Sequence, residues 1–435
     1  MFNTLDIRLV CYTIIMDRTY LCIDLKSFFA SVESVDRGLD PFTTNLVVAD
    51  PSRGAGAVCL AITPAIKKLG IKNRCRIFEI PSSIEYITAL PRMKLYMEKS
   101  AEIYGIYLKY VSADDIHVYS IDECFIDITN YLKTYNKTAK EFALMLMDAV
   151  MKETGICATA GIGTNLFLAK IALDITAKHS PDNIGYLDLE EFKKQIWHHR
   201  PITDIWNVGK GIATRLARYG AYDLYSVTKI PEQTLYKEFG VNAEFLIDHA
   251  NGIEPCTIED IHNYKSKSNS ISNGQILFED YNYDDTLLVI KEMVDVLVLE
   301  LIEKHMVTNN ISLSIGYSKD VHPATGGSKK LKKYTSSYKE IVKEFEELYK
   351  LKTATDYPIR KINVGLNNII DEDSVGFQLD LFAESEQTEK ERKVQEAVLN
   401  IKNKFGKNAV LRGMSLEKKA TARIRNKLVG GHNGE

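Results

Sequence analysis

Three carboxylates stand where apolar strands are expected. Asp24 closes YLCIDL (20–25), and Asp122 and Glu123 sit inside VYSIDECFIDIT (118–129) among Val118, Ile121, Phe125, Ile126 and Ile128. Adjacent acids in such surroundings repel one another and are costly to desolvate unless something positive lies beside them. Hard divalent cations such as Mg²⁺ suit this donor set, because they take carboxylate oxygens and keep positions for water and substrate phosphates. Two Mg²⁺ ions held by shared carboxylates activate a hydroxyl and stabilise a leaving pyrophosphate. The blander reading is a solvated hairpin turn at Asp122-Glu123. Asp127 fits that blander reading better, as a cap or as the partner of a neighbouring lysine.

Other residues extend the chemistry toward a nucleotide triphosphate. Lys170 lies on NLFLAKIA and Lys67 on TPAIKKLG, after a glycine-rich stretch. A lysine is a suitable point charge for a β- or γ-phosphate, although each is also an ordinary exposed helix lysine. Phe28 and Phe29 closely follow Asp24. One belongs to the core; the other can lie under a sugar and exclude a 2′-hydroxyl by contact.

These residues need elements to position them. YLCIDL reads as a strand and SFFASVESVDRG (27–38) as a helix with Ser27 at its N-cap. LVVAD (46–50) is a buried-type strand, PSRGAGAVCLA (51–61) is small and glycine-rich, and TPAIKKLG (63–70) is a short basic helix with a glycine stop. PRMKLYMEKSAEIYGIYLKY (91–110) has helical periodicity, and HVYSIDECFIDI gives two short strands meeting near Asp122. TAKEFALMLMDAVMKETG (138–155) is an amphipathic helix, CATAGIG (157–163) a strand, and NLFLAKIALDITAK (165–178) a helix. That order suits a ferredoxin-like sheet carrying an insertion. Short helices and turns follow to about Cys256. Residues 265–370 then read as a second β-α-β-β-α-β unit. The tail after Asp371 is charged and poor in aromatics, which predicts flexibility.

Composition bounds the rest. The 435 residues are 45% hydrophobic, enough for two to four domains, and the formal net charge is -3. Overall charge points neither to nor away from nucleic acid, for which a local basic stripe is sufficient. Seven scattered cysteines without a C-x-x-C read as reduced thiols in a cytoplasmic protein. No apolar run is long enough to span a bilayer. The start has an apolar patch but neither a basic flank nor a small-residue cleavage site. Residues 1–17 read as an extension, with Met16 an alternative start.

Together, IDLKSFFASVE (23–33), YSIDECFIDIT (119–129) and GIGTNLFLAKIA (161–172), in this order and spacing, resemble the bacterial Y-family translesion DNA polymerases of the DinB/UmuC type. The resemblance implies an α+β right-hand polymerase. It assigns a ferredoxin-like palm (18–37 and 91–180), small fingers (38–90), a helical helix-hairpin-helix thumb (181–256), a linker (257–264) and a little finger (265–370), with a flexible tail (371–435). It further implies that Asp24, Asp122, Glu123 and the Leu25 carbonyl bind the metals, that Asp122 and Glu123 are catalytic, and that Phe29 is the sugar gate. Phe28, Thr63, Lys67 and Lys170 fall to the nucleotide. The family's Tyr and Arg on the fingers helix are absent from AITPAIKKLG, where Thr63 and Lys67 are the nearest matches. GAGAV (54–58) resembles the roof over the templating base, and its small residues leave room for a distorted one.

NVGKGIATRLARYG (207–220) resembles a helix-hairpin-helix, with Gly209, Lys210, Gly211 and Arg215 on a DNA backbone. SKKLKKYTSS (328–337) offers Lys329, Lys330, Lys332 and Lys333 to the same backbone, or protects an edge strand. QLDLF resembles the peptide that docks bacterial polymerases on the sliding clamp, through Gln378, Leu379, Asp380, Leu381 and Phe382. The expected partners are primer-template DNA, dNTPs and the clamp, with the protein acting as a monomer. Two other readings stand beside this one. A nucleotidyl cyclase uses a similar sheet and acid pair but needs no hairpin motif and no second unit. A scaffold that binds clamp and DNA needs none of the acids.

Overall fold

The computed structural model describes residues 18–266, 268–318, 321–374 and 385–434. The chain divides into two compact units, Met1–Lys265 and Ser266–Glu435.

The strands of the first unit are β1 (Tyr20–Leu25), β2 (Leu46–Val48), β3 (Ala61–Ile62), β4 (Ile87–Ala89), β5 (Ile116–Val118), β6 (Glu123–Asp127), β7 (Ala158–Gly163) and β8 (Ile184–Leu187). Five form a sheet in the order β5-β6-β1-β7-β8. β1 is antiparallel to both β6 and β7, and β8 adds a parallel edge. β7-β1-β6-β5 is the ferredoxin-like order. β1 is central and buried on both faces, which explains its continuous apolar run. Leu21, Ile23 and Leu25 face a core shared with Tyr96, Ile103, Phe142 and Leu146. Tyr20 and Cys22 face the other way, toward Phe125, Leu166, Ala169 and Leu173. Period-two alternation therefore puts Asp24 on the face covered by the helix Leu166–Ile171.

That helix lies unusually close to the sheet. A Cβ on Gly163 would stand 2.1 Å from the Ala169 amide nitrogen, and one on Gly161 2.1 Å from the Ala169 carbonyl oxygen. Glycine at both positions lets backbone rest on backbone. Residues inserted after the first helix form a small sheet, β3-β2-β4. Beyond β8, short helices pack Phe192, Leu216, Leu224, Leu235 and Leu246 into one core with Phe167, Leu168 and Ile171.

The second unit holds β9 (Ile271–Tyr281), β10 (Met306–Tyr317), β11 (Thr325–Thr335) and β12 (Ile359–Asn367), ordered β11-β10-β12-β9 and antiparallel throughout. Helices Tyr283–Glu303 and Tyr338–Lys352 complete the β-α-β-β-α-β sequence and bury Val289, Met293, Leu297, Phe345 and Tyr349 against the sheet.

Two expectations are corrected. Residues 257–264 are not a free linker: they contain the helix Ile258–Asn263, and Ile258 is buried with Tyr20 and Phe125. The tail after 371 is not wholly flexible. A helix spans Ser385–Phe405, Leu399 packs on the second unit's core, and Gln395 is buried. Further on, the buried carboxylate of Glu292 accepts from the Thr421 and Ala422 amides at 2.8 and 3.0 Å. Arg412 covers the Tyr338 ring at 3.5 Å. Charged composition misled because these residues bind through ion pairs and main chain, with few large apolar anchors.

Candidate active site

The hairpin and the central strand bring the three acids to one end of the sheet. Asp24 and Glu123 are direct cross-strand partners, and the Leu25 amide donates to the Asp122 carbonyl at 2.9 Å. The amides of Tyr119 and Ser120 both donate to the Glu123 carbonyl at 3.0 Å, closing the turn. Ser120 Oγ donates to Asp122 Oδ1 at 2.6 Å. The turn is thus shaped by its main chain and by the Ser120–Asp122 side-chain bond.

Lys170 sits beside the acids. Its Nζ lies 2.9 Å from Glu123 Oε2 and 3.0 Å from Asp174 Oδ1, while Cys22 Sγ donates to Glu123 Oε1 at 3.1 Å. Burial pulls against its charge, but Asp174, Cys22 and Glu123 together hold the ammonium above its ordinary range. At Asp24, burial, then the charges of Asp122 and Glu123, outweigh the favourable Lys170 charge and push the carboxyl up to about 7. Among the described residues no three His, Cys, Asp or Glu side chains stand in metal-ligating geometry, and both Glu123 carboxylate oxygens are engaged, by Lys170 and Cys22. The oxygen donors and the strained Asp24 nevertheless fit a divalent cation, which would remove the repulsion that raises Asp24.

The two phenylalanines separate. Phe28 is 2% exposed and belongs to the core, so its assignment to the nucleotide is withdrawn. Phe29 is half-buried and stacks on Tyr96, with centroids 4.5 Å apart and planes at 18°. The Tyr96 hydroxyl donates to Glu33 Oε1 at 2.7 Å, and Arg92 grips Glu33 at 3.0 and 2.7 Å. Against burial, Arg92, Tyr96 and Arg37 hold the fully buried Glu33 carboxyl below its ordinary range. Ser27 occupies the N-cap position with φ 50° but makes no side-chain cap bond. The left-handed turn places backbone strain directly after the acid strand.

Thr63 is also withdrawn from the nucleotide. It is fully buried, accepts from the Leu46 amide at 3.1 Å and donates to the Thr44 carbonyl at 2.8 Å. Lys67 is exposed on Pro64–Lys68. Desolvation lowers its ammonium, and the Asp24 charge acts in the opposite sense. In the roof segment, Gly54 takes φ 85° and Arg76 Nη1 donates to the Gly56 carbonyl at 2.5 Å. Asp127 pairs with Arg18 at 3.0 Å and with the Thr129 amide, not with a lysine.

The DNA-directed residues also divide. Gly209 precedes the helix Lys210–Ala217 with an ordinary φ of -79°, and open space lies where a Cβ on Gly209 or Gly211 would stand. Lys210 is exposed. Arg215 is turned inward: its guanidinium stacks on Phe239 at 4.3 Å and donates to the Glu238 carbonyl. On β11 the pleat splits the lysines. Lys329 and Lys333 share the face of buried Leu331 and pair with Glu344, Glu347 and Glu340 of the helix above. Lys330 and Lys332 are exposed on the opposite face. Arg215, Lys329 and Lys333 are therefore structural here, and the DNA assignment is withdrawn for all three. Gln378–Phe382 lies outside the described residues.

Sequence reading missed an aromatic link to the acid-bearing hairpin. Trp206 Nε1 donates to the Tyr119 hydroxyl at 3.0 Å, and the Tyr119 ring meets the Phe125 and Trp206 rings edge-on at 5.7 and 5.9 Å. Only the position of Trp206 just before the NVGKG hairpin hinted at it. Asp174, four residues after Lys170, was a legible helix pair.

Comparison with known proteins agrees with this architecture. The model of the impB/mucB/samB family matches residues 23–174, and that of the impB/mucB/samB family C-terminal domain matches residues 268–381. "Putative UV-damage repair protein UvrX" of Bacillus subtilis (strain 168) is 34% identical over 424 residues, covering 95% of this chain and 97% of that one. "DNA polymerase IV 2" of the same strain is 30% identical over 431 residues, covering 96% and 99%. A solved structure, the "Y-family DNA polymerase chimera Dbh-Dpo4(243-245)-Dbh", superposes with a TM-score of 0.62 at 23% identity, covering 81% of this chain and 99% of that one. A ferredoxin-like sheet with one acid at the end of its central strand and two more at the adjoining β5–β6 turn has the layout of a palm-type nucleotidyl transferase. The chain belongs to the impB/mucB/samB family, the DinB/UmuC-type Y-family DNA polymerases of bacteria.

Proposed function

We propose that Asp24, Asp122 and Glu123, with the Leu25 carbonyl, hold two Mg²⁺ ions and join an incoming dNTP to a primer 3′-hydroxyl opposite damaged template bases. As a member of its family the chain is a DNA-directed DNA polymerase for translesion synthesis, acting on primer-template DNA and dNTPs with divalent-metal dependence. The observation that carries the site assignment is the Asp24–Glu123 register, with the Asp122 turn tied to β1 through the Leu25 amide. Bound metal supplies Lewis acidity for the hydroxyl and the leaving pyrophosphate. The protein's part is placement: a rigid strand pair fixes the acids, Lys170 and Lys67 provide cations for the triphosphate, and Phe29 braced by Tyr96 meets the sugar edge. Loop 54–58 covers the templating base.

The domain roles follow the same reading, with palm, fingers and thumb in the first unit and the little finger in the second. Gly209, Lys210, Gly211, Lys330 and Lys332 contact the DNA backbone without sequence preference. QLDLF docks a monomer on the sliding clamp in the cytoplasm, a reading supported by the sequence alone. No helix among the described residues is long and apolar enough to cross a membrane.

The test is primer extension with dNTPs and Mg²⁺ on intact and abasic templates, comparing wild type with Asp122→Ala/Glu123→Ala. Extension by wild type alone is expected. Equal extension by both proteins would remove the acids from the mechanism, and DNA binding without extension by either would favour the scaffold. Phe29→Ala should raise ribonucleotide incorporation; an unchanged ratio would end its role as gate. Deleting Gln378–Phe382 should abolish clamp stimulation while sparing basal synthesis.

A further inference from the structure

The described residues include six cysteines, all free thiols, and two of them are paired by the fold. Val58 and Arg76 form an isolated antiparallel bridge. The Cys59 amide donates to the Cys75 carbonyl at 2.8 Å, and the Ile77 amide to the Ala57 carbonyl at 3.0 Å. This register sets Cys59 directly across from Cys75. Opposed residues of an antiparallel pair share a face with Cα atoms about 4.5–5.5 Å apart, within the roughly 4.4–6.8 Å of a disulfide. Both side chains enter one small core with Val47, Ile62, Ile66 and Ile80. They differ in access. Cys59 is 0% exposed, whereas Cys75 is 7% exposed and follows the exposed run Lys72, Asn73, Arg74. Burial, then the adjacent Cys75 thiol, pushes the Cys59 thiol up to about 12, so its resting form is protonated.

We propose that Cys59 and Cys75 are a peroxide-driven, thiol-reversible disulfide pair that staples the glycine-rich segment 54–58 to the arm beginning at Arg76. The sulfur of Cys75, the outer residue, attacks hydrogen peroxide. The O–O bond breaks, water leaves with the thiol proton, and Cys75 becomes a sulfenic acid. The Cys59 sulfur then attacks the Cys75 sulfur. The S–S bond forms, the S–O bond breaks, and the hydroxyl departs with the Cys59 proton as a second water. Two thiols and one peroxide thus give one disulfide and two waters, and dithiothreitol reverses the change. The closed loop contains the helix Pro64–Lys68, so the staple also restrains Lys67. The pairing is independent of any role given to the acids.

The test treats the full-length protein with hydrogen peroxide, alkylates it under denaturing conditions and maps its peptides. The expected result is a linked Cys59–Cys75 peptide pair lacking two hydrogens, restored by dithiothreitol. In Cys59→Ser, dimedone should instead trap sulfenic acid on Cys75. Hydrogen exchange over residues 60–74 should slow by roughly tenfold or more in the oxidised protein. Full alkylation of both thiols in protein whose half-buried Cys157 and Cys256 are already oxidised would overturn the proposal. So would a linked pair that leaves exchange unchanged.

Discussion

Removing one charge from the end of β1 should stabilise the metal-free protein. The Asp24 carboxyl has an ordinary value of 3.8 and is raised to about 7 in the fold. Its contribution is therefore fully present below about pH 4 and is lost as the pH rises through 7. In EDTA at pH 8, Asp24→Asn should gain on the order of 2 kcal/mol, read as a higher urea midpoint, with little difference from wild type at pH 4. A uniform gain at both pH values would mean that charge is not the cause. Glu33 has the opposite sign. Its carboxyl is held below its ordinary 4.5, so the stability it gives is present above that value and is lost as acid brings the pH down through the folded value. Glu33→Gln should cost about 3 kcal/mol at pH 7 and flatten the acid limb of the stability profile. By loosening Tyr96 it should also weaken sugar discrimination at Phe29. The three acids were legible as residue types in unsuitable surroundings. The Glu33–Arg92–Tyr96 brace was not, because its partners lie 59 and 63 positions apart.

Two devices shape the surroundings of Lys170 and of the acid-bearing turn, and each can be tested without touching the acids. Gly163→Ala would drive a methyl into the Ala169 amide, and the helix would have to lift. The expected cost is about 3 kcal/mol or more, with loss of synthesis exceeding loss of DNA binding. A Gly163→Ala protein of normal stability would show that the close approach is dispensable. The second device is the Trp206–Tyr119 bond, which ties the segment before the NVGKG hairpin to the turn bearing Asp122. Tyr119→Phe and Trp206→Phe should each lower kcat for extension several-fold, and the double variant should be no worse than either alone. Additive losses would separate the two residues. Element types and order could be read from periodicity, since β1 and the helices around it bury what their patterns promise. The aromatic link could not, because it joins residues 87 apart through one hydrogen bond.

At the scale of the molecule, the charged C-terminal stretch is part of the second unit's fold. Glu292 and Gln275 are buried polar groups whose partners include Thr421 and Arg425. Removing residues 406–435 would leave them unpaired, so the truncated protein should lose several kcal/mol in that unit and show a separate early melting transition. A single unshifted transition would make the stretch an ornament. Its sequence concealed this, because a low aromatic content is the usual mark of disorder.

The pleat of β11 carries a consequence for ionic strength. A lysine paired with glutamates of its own chain must give up those pairs before it can displace cations from a duplex. Only Lys330 and Lys332 on that strand should therefore contribute to counterion release. Replacing both with glutamine should shallow the slope of log binding constant against log salt by about 2. Replacing Lys329 and Lys333 should leave that slope alone and lower the melting temperature instead. Four lysines that look alike in the sequence would then answer to two different experiments, one reading the ions around DNA and the other the cohesion of the domain.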